Sequence, residues 1–114
     1  MKYLEKFIQS AIGEAEAEVE GNHKKADNFG KKMREIAISL YKADRIEELE
    51  ILLTHENPSV RGNAAIKLLP FATEKAEDVL QELAEKSGLS IYFVARNTLE
   101  EWRKGNIKFS YYQK

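Results

Sequence analysis

Catalysis has little to work with in this chain: two histidines, no cysteine, and carboxylates scattered along helical stretches. Neither His23 nor His55 has a second ligand three or four residues away or a Cys-x-x-Cys partner, so the spacing does not suggest a zinc site. His55 and Glu56 are adjacent and could form an acid–base pair. They fall in a turn, however, and a turn seldom supplies the burial that tunes such groups, so the pair reads as inert. Glu100 and Glu101 are neighbours on a helical stretch and point in different directions, which rules them out as a matched carboxylate pair. There is no Gly-rich phosphate loop, dinucleotide fingerprint or nucleophile elbow. The expectation is a protein that is not an enzyme and carries no cofactor and no metal.

Binding chemistry is better represented. Arg103, Lys104, Lys108 and Lys114 alternate with Phe109, Tyr111 and Tyr112 near the C-terminus. Cations interleaved with aromatics can hold single-stranded nucleic acid by phosphate contact and stacking. The same aromatics are equally explained by a tail that folds back over the last helices. Formal net charge is −1 over 114 residues. Residues 1–56 carry nine basic and twelve acidic side chains and residues 57–114 nine and seven, too mild an asymmetry to argue for nucleic acid by itself.

These groups must be positioned by helices. Charged residues make up 32% and hydrophobic ones 43%, an ordinary balance for one soluble domain. The first residues, Met1 to Lys6, do not read as a signal peptide, and no apolar run is long enough to cross a bilayer. With no cysteine for disulfides or thiol chemistry, the expected setting is the cytoplasm.

Leu4, Phe7, Ile8, Ala11, Ala15 and Val19 lie on one stripe of a helix over about 2–20. Glu14, Glu16, Glu18 and Glu20 read as its solvated face, with a docking surface as the alternative. Gly21-Asn22 stops that helix and starts another over about 23–42, with Ala26, Phe29, Met33, Ile36, Ala37 and Leu40 inward. Gly30 inside it weakens it by up to ~1 kcal/mol relative to Ala and either permits a close crossing or is simply tolerated. Asp44 is the expected cap of a third helix over about 45–54.

Asn57-Pro58 is a helix start: the Asn side chain accepts from a free first-turn amide, and Pro has no donor to lose there. Val60, Ala64 and Leu68 follow on one stripe. Pro70 ends this fourth helix. A fifth runs from Thr73 to about Lys86, and a sixth from about Ser90 to Lys104, stopped by Gly105.

Sliding the chain by 31 residues superposes Leu49 on Leu80, Leu52 on Leu83, Ser59 on Ser90, Val60 on Ile91, Ala64 on Ala95, Leu68 on Leu99 and Phe71 on Trp102. A gapless match across a turn points to a repeated helix pair. Asn57-Pro58-Ser59-Val60-Arg61, then Ala64-Ala65 and Leu68-Leu69, resembles the inner-helix signature of HEAT-like repeats. Val94-Ala95-Arg96 and Leu99 repeat it, with Leu89 in place of Pro. Arg61-Gly-Asn-Ala-Ala, Leu69-Pro-Phe-Ala and Thr98-Leu-Glu-Glu-Trp-Arg-Lys-Gly are similar to a group of short bacterial HEAT-like domains of unknown function.

The resemblance implies an all-α fold of about six helices, an α-α superhelix of the HEAT/ARM kind. It divides into an N-terminal hairpin cap (1–43), a first repeat (44–70), a second repeat (73–105) and a tail (106–114). It also implies that the second helix of each pair lines a concave side. On that reading Asn63, Lys67, Tyr92, Arg96 and Arg103 project towards one groove, and Tyr and Arg are the residues enriched at binding hot spots. Arg61 reads as a structural bond to neighbouring turns, Arg96 is open between the two roles, and Trp102 belongs to the core.

The functional expectation is a protein–protein interaction module, such as a small bacterial adaptor or immunity-type protein, with no membrane partner. The alternative is a nucleic-acid binder using Lys67, Arg96, Arg103 and the tail.

Overall fold

The computed structural model describes residues 2–113, and these form six helical segments with no strand among them. They are α1 (Lys2–Glu20), α2 (His23–Lys42), a 3₁₀ helix (Ile46–Thr54), α3 (Pro58–Leu68), α4 (Thr73–Ala84) and α5 (Ser90–Arg103). No helix among the described residues is long and apolar enough to cross a membrane.

Local chemistry sets most boundaries. Gly21 takes the left-handed conformation at φ +73°, which lets α1 end and α2 begin within two residues. Asn22 then caps α2 by accepting from the Lys25 amide at 3.1 Å. Asn57 caps α3 by accepting from the amides of Ser59 and Val60 at 2.8 and 3.2 Å, with Pro58 at the first helical position. Thr73 does not cap α4. Its hydroxyl donates to the Leu69 carbonyl at 2.6 Å and fastens the α3–α4 turn, and Ala72 stands at the cap position.

The third segment departs from expectation. Arg45, not the expected Asp44, stands at its cap position and makes no side-chain cap bond; Asp44 lies one residue earlier at φ +57°. The segment winds as a 3₁₀ helix for nine residues, well beyond the usual three or four. Ile46, Leu49 and Leu52 recur every third residue, a spacing that suits a three-residue turn, and all three are buried together with Leu53.

α3 is the centre of the molecule and touches α1, the 3₁₀ helix, α4 and α5. Its small residues permit this, and Gly62 is the tightest point. A Cβ there would fall 2.6 Å from Ile91 Cγ1 on α5. Five of the seven positions related by the 31-residue shift are buried in both copies: Leu49/Leu80, Leu52/Leu83, Val60/Ile91, Ala64/Ala95 and Leu68/Leu99.

The buried face of α1 rotates along its length. Leu4, Phe7 and Ala11 enter the core, but farther on Gly13 and Ala17 are buried instead, with the Phe29 ring of α2 lying over Gly13. Val19, expected on the apolar stripe, is therefore 86% exposed. Glu14, expected on the wet face, lies three residues past Ala11 and seven past Phe7, so it shares their side of the helix and is half-buried facing α3.

Candidate functional site

Asn63 and Lys67 are one turn apart on α3. Asn63 is buried, and its side-chain amide donates to the Ser59 carbonyl at 2.9 Å and to Glu14 Oε1 at 3.3 Å. Glu14 comes from α1, forty-nine residues away in sequence. It finds room because Gly30 of α2 has no side chain; a Cβ there would meet Glu14 Oε2 at 3.0 Å. α2 forms the opposite wall with Asp27, Asn28, Lys31 and Arg34. Together these residues line a polar cleft of about 530 Å³ between α1, α2 and α3.

Burial decides the electrostatics. It pushes the Glu14 carboxyl above its ordinary range, against the opposing pull of the Asn63 hydrogen bond and the Lys67 charge. Burial also pushes the Lys67 amine down to about 8, with Glu14 pulling it back up and Arg34 adding to the fall. Among the described residues no carboxylate lies within ion-pair distance of Lys67 Nζ, and that amine donates no hydrogen bond. The cleft thus holds a cation short of acceptors, beside two further cations.

No protein-family model matches the chain, and no curated protein and no solved structure matches it.

The five residues expected to share a groove fall in three places. Asn63 and Lys67 line the cleft. Arg96 and Arg103 line a separate hollow of about 400 Å³ between α4 and α5. Tyr92 lines neither and packs half-buried against the core. Arg96 is engaged with backbone: Nη2 donates to the carbonyls of Ala84 and Lys86 at 3.1 and 3.2 Å, closing the C-terminal end of α4. Arg103 Nη1 donates to Gln81 Oε1 at 3.3 Å, and its Nη2 lies 3.9 Å from Glu77.

Arg61 behaves as the structural reading expects. Its Nη1 donates to the carbonyls of His55 and Glu56 at 2.9 and 3.0 Å, and Nη2 lies 3.6 Å from Glu82. His55 Nδ1 accepts from the Asn57 amide at 3.0 Å, so this ring organises the turn. Trp102 packs against the core and donates Nε1–H to Glu77 at 2.9 Å. No three metal-ligating groups cluster among the described residues.

The tail is docked. Phe109 meets Trp102 edge-on with ring centroids 6.0 Å apart. Tyr112 packs on Tyr41 and Phe71 at 5.1 and 4.8 Å, and its hydroxyl donates to the Lys67 carbonyl at 2.9 Å.

Sequence reasoning missed Glu14, Lys31 and Arg34 as members of the site. Lys31, Lys32 and Arg34 form a short basic run in the sequence. What placed Lys31 and Arg34 opposite Lys67 was the packing of the hairpin against α3, which no local pattern encodes.

Proposed function

We propose that the chain is a non-enzymatic protein-interaction module of HEAT-like architecture, whose cleft receives a carboxylate-bearing segment of a partner protein. The observation that carries this reading is the Lys67 amine. It is half-buried in the cleft, has no carboxylate at ion-pair distance, and is flanked by Arg34 and Lys31. A partner carboxylate entering the cleft supplies a charge-assisted bond to it, and a partner that also covers the cleft excludes water and strengthens that bond. Asn63 is held in place by its bond to Ser59 and so presents a fixed wall.

Three features support the repeat reading: the shared burial at the 31-residue spacing, the direct α3–α5 contact at Gly62, and a parallel use of arginine. Arg61 and Arg96 each reach from the second helix of a pair to carbonyls at or just beyond the end of the first. The nucleic-acid alternative has less behind it, because Phe109 and Tyr112 are already packed on Trp102, Tyr41 and Phe71 instead of offering free faces to bases.

Affinity capture from the native cells after nuclease treatment tests the proposal, run with wild-type protein and with a Lys67→Met, Arg34→Gln variant. A stoichiometric protein partner held by the wild type and lost by the variant supports it. Nucleic acid as the only associate, recovered when nuclease is omitted, contradicts it.

A further inference from the structure

On another side of α2 from the cleft, α1 and α2 enclose an elongated groove of about 760 Å³. Its floor is apolar: Tyr3 from α1, and Phe29, Ile36 and Leu40 along α2. Its rim is basic. Lys2, Lys6 and Lys32 border it with Arg45, and Glu35 is the single acid among the lining residues. Arg45 is bonded to Glu48 and is the least available of the four cations. Three lysines against one carboxylate still stand out in a chain whose net charge is −1.

Two details narrow the occupant. Lys32 Nζ sits 5.3 Å from the centroid of the Phe29 ring, and Arg45 Cζ sits 4.9 Å from that of Tyr3. Each ring therefore has one face covered by a cation, which leaves a poor platform for stacked bases. A channel between two adjacent helices instead fits the ridge of a third helix.

We infer that the α1–α2 groove docks an amphipathic helix of a partner protein, its apolar stripe on the half-buried Tyr3, Phe29 and Ile36 and its flanking Glu and Asp residues on Lys2, Lys6 and Lys32. This surface is distinct from the Lys67 cleft, so either reading can fail without the other.

The probe is a fluorescein-labelled helical peptide of eighteen residues, with Leu on one stripe and Glu along both edges. Its counterpart carries Lys in place of every Glu. Anisotropy with wild-type protein is expected to show at least tenfold tighter binding of the Glu peptide. A Lys6→Glu, Lys32→Glu variant, altered only at exposed positions, is expected to reverse that order while melting as the wild type does. Amide shifts on binding are expected to fall in residues 2–10 and 29–45. Equal affinity for the two peptides would overturn the inference, and so would shifts centred on Asn63 and Lys67. It also fails if anionic vesicles or an oligothymidylate bind this groove and the Glu peptide does not.

Discussion

The Tyr112 hydroxyl donates to the backbone carbonyl of Lys67 at 2.9 Å, so the tail is fastened to the residue whose amine lies in the cleft. Burial raises both Tyr111 and Tyr112 above the ordinary phenol range, Tyr112 the more strongly. An absorbance titration should therefore show two of the five tyrosines ionising late. Unfolded, both phenols lose their protons near pH 10, and folded they hold them longer. Stability should fall as pH rises above 10. Tyr112→Phe should remove the hydroxyl's bond and lower stability by about 0.5–1.5 kcal/mol in urea unfolding.

Lys67→Met is expected to stabilise the protein. The folded-state pKa of about 8 lies below the ordinary 10.5, so the unfolded chain binds more protons between those values. Wild-type stability consequently carries a contribution that rises with pH from 8 to 10.5, while below pH 8 the half-buried charge weighs on the fold. The variant should gain about 1–2 kcal/mol at pH 7 and lose that rise. Denaturation curves at pH 7 and pH 10 for both proteins check it.

Much of the fold was legible in the sequence, because its signals were local. Gly21-Asn22 and Asn57-Pro58 mark helix ends through backbone conformation and capping, and α1, α2 and α3 begin or end at those residues. The 3₁₀ winding of the third segment was not legible, because its buried residues fit both periods: Ile46, Leu49 and Leu52 a three-residue turn, Ile46, Leu49 and Leu53 an α-helical stripe. The cleft was half legible. Asn63 and Lys67 could be placed on one face of α3, whereas Glu14 was assigned to solvent with Glu16, Glu18 and Glu20 although it lies seven residues past Phe7, on the buried side of α1. Val19 was misplaced for a different reason: the buried face of α1 rotates where Phe29 lies over Gly13, and that depends on tertiary packing. Arg96 failed to join the groove because the exposed carbonyls at the end of α4 were nearer acceptors.

Glu14→Gln should keep the hydrogen bond accepted from Asn63 and remove the charge. Of the groups around Lys67, Glu14 is the one that holds its amine up, so the Lys67 pKa should drop further below 8. A side-chain carbon–proton NMR titration of Lys67 in the two proteins reads this directly. An unchanged Lys67 value would mean that the two groups do not interact.

Gly62→Ala should destabilise the fold by about 1–3 kcal/mol, the usual range for overpacking a full core. The new methyl would fall 2.6 and 2.7 Å from Ile91 Cγ1 and Cδ1, and 3.1 Å from Leu83 Cδ1. Ile91→Val in the same chain should recover part of the loss by removing Cδ1. Thermal melts of the single and double variants decide it; a neutral single variant would mean that α3 and α5 are not in tight contact.

The central claim is that the Lys67 amine is a receptor for a partner carboxylate. The most direct measurement is the Lys67 pKa by NMR in the free protein and in complex with the partner recovered by capture. The expected result is a value of about 8 when free and a rise towards 10.5 or above in the complex, since an opposing charge favours the protonated amine. A value that stays at about 8 in the complex would show that no carboxylate reaches Lys67 and would contradict the account.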